Sequence, residues 1–505
     1  MNQPPSISRK AFQQTVFYTV LFSLLAHGYR FLNMSFSGDA SLIVQTEETV
    51  FQITIGRYLQ PVLWMIRGPI TAPLTIGLFA TAALAGAAML IVSMLGLTSR
   101  LPILLVCGIL ATNETLSVSY ATYLPWVDVY MIAFFFSIAG VYVSVRFRRG
   151  WLISPLLYLI ALALYQSYLQ TAVVMILILL ILRLLNGEPV KDIWLFGIRA
   201  CIALLAGLLL YALCLRLVLA ALGLSASDSY NGVTRVGSMA LSEIPQLLMT
   251  TFRYPLQFFM RSADRAFVSP ILTFALLALA LPLLFYSAWK LSVAGKLTLL
   301  FLLVMLPLGC NFVAFISQGI VHPLMVYSFF FLYVLCIAVI IRMPVPSKLQ
   351  RPFHAVQGVA AFLVILMVGG NIITANQLYL RRDLEFYSTT SAATRILKHA
   401  DNVEGYVPGE TPVCILGYLP SSKIGFVRPG FEQLSNLQGM RYTYAASYET
   451  SNPWYFQKIL GYPVNFVSAE DQRMYQMSGI GENTPNFPDE NCYQLIDGIL
   501  FIKLS

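Results

Sequence analysis

Residues 151–185 read WLISPLLYLIALALYQSYLQTAVVMILILLILRLL, an apolar run interrupted at Tyr165-Gln166-Ser167. A helix that crosses a bilayer needs about 20 mostly apolar residues. The stretch is therefore either one overlong helix or two spans, 151–166 and 168–185, joined by a very short polar turn. The choice decides the fold, because it sets the side of the membrane on which every later segment lies. Other apolar segments fall at 11–32, 71–97, 101–116, 126–145, 193–222, 266–289, 297–315, 322–342 and 354–375. Two spans in 151–185 bring the total to eleven.

Charge arbitrates. With the N-terminus in the cytosol, thirteen of the twenty-two Lys/Arg before residue 376 fall on inside segments. They are Arg9, Lys10, Arg100, Arg146, Arg148, Arg149, Arg183, Lys191, Lys290, Lys296, Arg342, Lys348 and Arg351, against two inside acids, Glu188 and Asp192. The other eight acids of that part lie in or beside outside loops. Short inside loops rich in Lys and Arg are what membrane insertion selects. Removing one span from 151–185 would invert every later loop and destroy the pattern. The expectation is an α-helical polytopic membrane protein of about eleven transmembrane helices, N-terminus inside and C-terminus outside.

Composition agrees. The 505 residues have a mean hydropathy of +0.72, with 58% apolar and 11% charged residues. A soluble domain is about 45–50% apolar and about 25% charged. The N-terminal MNQPPSISRK and the apolar run after it are similar to a secretion signal, but no A-x-A-like cleavage site follows, so the run reads as an uncleaved first span. The net charge of +9 and pI of 9.1 sit at span ends, a topology signal rather than a nucleic-acid patch. Membrane lipid, not nucleic acid, is the expected surroundings.

Beyond residue 376 the balance changes to ten Lys/Arg against thirteen Asp/Glu. NQLYLRRDLEFYSTTSAATRILKHADNV is helix-like, TPVCILGYL reads as a buried strand, and NPWYFQKILG as a helix closed by Gly461. CYQLIDGILFIKLS is two alternating runs around Asp497-Gly498, a two-residue hairpin signal. The expected organisation is a membrane body, 1–375, followed by an outside α/β domain, 376–505. The body carries two long outside loops, 33–70, with helices lying along the interface, and 223–265. Five of the seven cysteines lie in apolar spans; Cys414 and Cys492 lie in the tail, where an oxidising compartment would allow them to pair.

Several chemistries are excluded by what is missing. There is no GxxxxGK[ST], HExxH or GxSxG, and the four histidines, at 27, 322, 354 and 399, form no cluster in sequence. The inside loops are too short to build a nucleotide-sugar domain. Chemistry then belongs to the outer face, where a transferase would need its donor carried across on a lipid. Displacement at a sugar carbon asks for a carboxylate to take the acceptor proton and for cations to meet the departing phosphate.

In loop 33–70, Asp39 is the first candidate base, with Glu47 and Glu48 as alternatives for that role or for holding the acceptor sugar. No cofactor is called for, a divalent cation at Glu47 or Glu48 apart. Arg57, Arg67, Arg253, Arg261 and Arg265 are outside cations against the charge bias, and guanidinium–phosphate pairing is one reason for that. Headgroup anchoring or pairing with Asp264 is the other. Asp128, just after Trp126, and His322, before Pro323, are candidate cavity residues, as are Tyr165, Gln166 and Tyr168 of the YQSYLQ turn. For the turn, hydrogen bonding between helices is the plainer alternative.

The pattern S-G-D-A…E-E-x-x-x-Q-I-x-x-G-R-Y-L-Q-P over residues 37–61, the later A-L-Y-Q-S-Y-L-Q and the terminal G-I-L-F-I-K-L-S carry a family likeness. The chain resembles the serotype-converting O-antigen glucosyltransferases, the type-specific Gtr family. The resemblance implies a GT-C-like membrane fold. It also implies transfer of glucose from undecaprenyl-phosphate glucose to a sugar of the lipid-linked O-antigen repeat, in the periplasm at the inner membrane. Asp39, Glu47 and Glu48 then fall on the family's acidic first loop, and Gly56-Arg57 on its GR motif. The single Asp39, where many GT-C enzymes have a paired acidic motif, speaks against a metal-dependent mechanism. The competing classes are a transporter or flippase of a lipid-linked sugar, which would show inverted repeats and broken helices, and an O-antigen polymerase or ligase, built around a large middle loop and arginines.

Overall fold

The computed structural model describes residues 8–36, 42–227, 242–260, 267, 269–317, 319, 321–342, 350–419 and 453–505. Asp39, Arg261 and Arg265 lie outside the described residues. The chain divides into two compact units, Met1–Leu32 with Ile43–Asn376, and Asn33–Leu42 with Gln377–Ser505. Residues 33–42 thus go with the C-terminal unit rather than with the remainder of the segment 33–70.

The first unit is helical. Its helices are α1 (Arg9–Leu32), α2 (Thr49–Thr54), α3 (Gln60–Arg67), α4 (Pro73–Met94), α5 (Arg100–Thr112), α6 (Glu114–Thr122), α7 (Val127–Arg146), α8 (Gly150–Leu164) and α9 (Leu169–Leu185). There follow α10 (Val190–Leu222), α11 (Ile244–Met260), α12 (Pro270–Trp289), α13 (Val293–Cys310), α14 (Phe312–Ile316), α15 (Phe331–Arg342) and α16 (Gln350–Ala400), which runs on into the second unit. Among the described residues, eight helical segments are long and apolar enough to cross a membrane: 73–94, 100–122, 124–146, 166–185, 190–222, 270–289, 293–310 and the first part of 350–400. Gly150–Leu164 and Tyr327–Arg342 are apolar but shorter. These apolar segments are helical, as hydrocarbon favours, because a helix satisfies all its own backbone groups.

Side-chain placement is that of a lipid-embedded bundle. On α1 the polar residues Thr15, Thr19, Ser23, His27 and Arg30 are buried against α4, α5 and α6, while Phe12, Phe17, Leu24 and Leu32 face outward. Water would reverse that arrangement; lipid favours it. Helices approach closely through small residues and hydroxyl bonds, as expected where hydrophobicity cannot drive them together. Tyr158 of α8 sits against Gly140 of α7 and Gly207 of α10, where a Cβ would come within 2.3 and 2.8 Å of it. Ser154 of α8 donates to the Gly140 carbonyl at 2.7 Å and meets Ser144 at 2.6 Å.

The stretch 151–185 resolves into two helices. α8 ends at Leu164, Tyr165 is extended (φ −161, ψ 111), and a single turn, Gln166–Tyr168, starts α9. The polar trio thus forms the turn itself.

In the second unit α16 continues to Ala400, and a four-stranded sheet follows, with strands β1 (Pro412–Leu416), β2 (Asn465–Phe466), β3 (Tyr493–Ile496) and β4 (Ile499–Lys503). Their order is β2-β1-β4-β3, with β1 parallel to both β2 and β4. β3 and β4 form an antiparallel hairpin whose turn residues, Asp497 and Gly498, both have positive φ (48 and 77), as a two-residue turn of this twist demands. Helix α17 (Ala469–Met477) is capped by Ser468, which accepts from Asp471 N–H, and packs on β1. Cys414, on β1, and Cys492 are both buried free thiols.

Candidate active site

Residues 43–71 close on themselves. Val44 and Ile70 form an antiparallel bridge, Gln45 N–H donates to the Pro69 carbonyl at 2.8 Å, and Thr71 N–H donates to Ile43 at 2.8 Å. The Gln45 side chain also donates to the Thr71 hydroxyl. Within this neck lie a helical turn, Gln45–Glu48, and helices α2 and α3. Glu47 is exposed on the turn and Glu48 half-buried beside it. The two adjacent acids therefore point differently, as one step along a helix requires.

The middle of the loop, Ile55-Gly56-Arg57-Tyr58-Leu59-Gln60, is seated on the α8–α9 turn. Leu59 N–H donates to the Ala163 carbonyl at 3.1 Å, and the Gln60 amide donates to Leu164 at 2.7 Å. From the other side the Gln166 amide donates to the Ile55 carbonyl at 2.9 Å and to the Tyr211 hydroxyl at 3.0 Å. Tyr211 of α10 donates in turn to the Gly56 carbonyl at 3.0 Å. Gly56 has φ +88, and a Cβ on it would lie 2.1 Å from the Tyr211 oxygen. Only glycine fits both that backbone angle and that space.

This seat orients Arg57. Its guanidinium carbon lies 4.6 Å from the centre of the Tyr165 ring, and its Nη1 donates to Gln52 Oε1 at 3.2 Å. An amide oxygen and a ring face are among the groups that hold it. Tyr165 is backed by Tyr130, ring centres 4.4 Å apart, and Tyr168 is packed among Tyr130, Phe134, Tyr165 and Tyr327. Tyr168 is completely buried, part of the aromatic wall behind the seat.

Arg67, at the end of α3, has a different environment. Its Nε is 2.6 Å from Asp128 Oδ2, and both side chains are fully shielded. Its remaining nitrogens donate to the carbonyls of Ile70 (2.9 Å) and Pro125 (3.4 Å), while Asp128 Oδ1 accepts from Val129 N–H. Burial lowers the Arg67 pKa and the Asp128 carboxylate partly restores it. This is an internal tie from the end of the loop to α7.

His322 Nε2 is 3.1 Å from the Tyr123 hydroxyl, and Nδ1 accepts from Leu324 N–H at 3.4 Å. In the neutral ring that leaves Nε2 as the donor to Tyr123. Nearby, Thr115 donates to the Pro323 carbonyl and Gln170 to that of Met325, both at 2.9 Å or less. Arg253 is exposed on α11 and is not part of this assembly. Among the described residues no three His, Cys, Asp or Glu side chains come together as a metal site would require. Gln52, Gln60, Tyr130 and Tyr211 belong to the seat without having been marked as site residues in the sequence. The one available signal for Tyr211 is a single hydroxyl within the apolar LLLYALC.

Residues 28–368, which include the closed loop, its seat and α10, match the family model described as Glucosyl transferase GtrII. The chain belongs to the GtrII glucosyl transferase family. No curated protein and no solved structure matches it. As a family member the chain is a membrane glucosyltransferase that acts in O-antigen modification, of the serotype-converting Gtr type, and it uses a sugar donor and a lipid-linked acceptor. The matched span leaves the C-terminal sheet outside the family model.

Proposed function

We propose that the chain transfers glucose from undecaprenyl-phosphate glucose to a sugar hydroxyl of the lipid-linked O-antigen repeat, on the periplasmic face of the bacterial inner membrane. The reading is carried by the seating of the GR motif: Gly56-Arg57 is clamped between the α8–α9 turn and Tyr211, in the loop that also bears the candidate acids. A charged guanidinium fixed at an outer helix junction suits a lipid phosphate. The eleven-helix, N-in and C-out arrangement, supported by the distribution of Lys and Arg, puts this loop and the C-terminal α/β domain in the periplasm.

In the displacement the acceptor oxygen forms a bond to the anomeric carbon as the bond from that carbon to the phosphate oxygen breaks. Undecaprenyl phosphate leaves with the electron pair, and the configuration inverts. The acceptor proton passes to a first-loop carboxylate, Asp39 before Glu47 or Glu48. Arg57 meets the charge that grows on the departing phosphate. Arg67, Asp128 and His322 act by holding the loop and the helix ends in place. Arg253, Arg261 and Arg265 of the second long loop are further candidates for the lipid phosphate.

The test is reconstitution of the purified chain in vesicles with polyprenyl-phosphate glucose and lipid-linked O-antigen, followed by linkage analysis. Incorporation of glucose is expected, and its absence overturns the reading. Asp39→Asn is expected to abolish transfer while membrane insertion persists. Full activity in Asp39→Asn moves the base to Glu47 or Glu48, and activity in all three amide variants removes the base from this loop.

A further inference from the structure

Among the buried polar groups of the second unit that the transfer mechanism above does not use are Glu385 and Thr389. On α16, Glu385 Oε2 accepts from Arg382 Nη1 at 2.7 Å, and both side chains are shielded from solvent. Glu385 Oε1, equally buried, has no hydrogen-bond partner among the described residues. One turn further along the same face, the buried hydroxyl of Thr389 has none either. Buried polar groups are almost always satisfied, and those that are not call for an explanation.

Thr389 makes the point sharper. A buried threonine inside a helix can satisfy itself by bonding the carbonyl four residues back. Thr15 and Thr112, both buried in helices of this chain, do so, at 2.8 and 2.9 Å. Thr389 does not, so its hydroxyl stays available alongside the second carboxylate oxygen of Glu385. A pair built only for stability would engage both carboxylate oxygens. What the two atoms lack is a group that donates to a carboxylate and also exchanges a hydrogen bond with a hydroxyl. A sugar bearing neighbouring hydroxyls has that chemistry.

The same unit includes residues 33–42. Phe36 packs edge-on against Phe386, ring centres 5.7 Å apart, and Ser35 is buried in the same unit. We propose that Glu385 and Thr389, with Glu385 oriented by Arg382, form a carbohydrate subsite that holds a hydroxyl-bearing sugar of the acceptor. The assignment of that sugar to the acceptor rests on the glycosyl-transfer reading.

The full-length chain in nanodiscs, titrated with O-polysaccharide repeat-unit oligosaccharides, tests this without requiring transfer. Glu385→Gln and the near-isosteric Thr389→Val are each expected to weaken oligosaccharide binding at least tenfold. In the transfer assay they should raise the acceptor KM by a similar factor and leave the donor KM unchanged. Thr389→Val should melt no lower than the unmodified chain, because a hydroxyl with no partner in the fold contributes nothing to it. A lowered melting temperature with unchanged affinity per folded molecule would make Thr389 structural and overturn the subsite. Unchanged oligosaccharide affinity in both variants also overturns it. Binding by the unmodified chain without glucose transfer would instead strike the proposed function and leave the subsite standing.

Discussion

Arg67 and Asp128 face each other at 2.6 Å with neither side chain reached by solvent, tying the last residue of α3 to the first turn of α7. Two charges taken out of water stabilise a fold only as a pair, and losing one partner leaves the other uncompensated. Asp128→Asn or Arg67→Met is therefore expected to cost about 3–5 kcal/mol. Arg67→Met/Asp128→Leu should recover most of that loss. Thermal unfolding in detergent, followed by size-exclusion chromatography of the survivors, measures both. Equal destabilisation in the single and double variants would refute the tie.

Gly56 provides a steric test of the seat. Gly56→Ala adds a methyl carbon 2.1 Å from the Tyr211 oxygen, on a backbone with φ +88. The strain should be about 1–3 kcal/mol, and transfer should fall with it. Tyr211→Phe alone loses two hydrogen bonds, the one to the Gly56 carbonyl and the one from the Gln166 amide, about 2 kcal/mol together. Because it also removes the clashing oxygen, Gly56→Ala/Tyr211→Phe should be less impaired than the two single effects added together. A double-mutant cycle on activity and melting temperature checks the sign of that coupling.

Arg57 should be sensitive to shape as well as charge. Arg57→Lys retains a cation but loses the planar group that lies over Tyr165. The donor KM is expected to rise roughly tenfold in Arg57→Lys and roughly a hundredfold in Arg57→Ala, in line with a charged hydrogen bond of about 1.5–3 kcal/mol. The acceptor KM should stay within error. An equal change in both constants would place Arg57 outside the donor site.

Cys414 and Cys492 give a prediction for the second unit. Burial pushes both thiols up to about 11, so neither is a thiolate near neutral pH. Maleimide at pH 7.5 should label neither residue in the native chain and both after denaturation without reductant. Labelling that requires reductant would reveal a disulfide, contrary to the free thiols of the structure.

The helices were legible because hydrocarbon allows few alternatives: an apolar run long enough to cross becomes a helix. Tyr165-Gln166-Ser167 could be read as a turn because three polar groups interrupt two such runs. Asp497-Gly498 was readable for a local reason too, since two positive φ angles select those residue types. The closure of the first loop and its seating on a turn about a hundred residues later left no trace in periodicity. Arg67 and Asp128 each stood out in the sequence as candidate substrate contacts, yet their pairing is a tertiary fact. Sequence can mark a charge as unusual for its place; it cannot say whether a ligand or another part of the chain answers it. Glu385 and Thr389 were hidden for the opposite reason: a charged, amphipathic helix after the last span looks solvated, and its buried face appears only once folded.

The neck at Val44 and Ile70 makes residues 43–71 a self-contained cassette. Its ends are fixed by its own backbone, and its docking depends on a few groups: the carbonyls of Ala163 and Leu164, the amide of Gln166 and the hydroxyl of Tyr211. Such a loop can be exchanged between relatives as a unit, provided that the host retains the turn and the tyrosine.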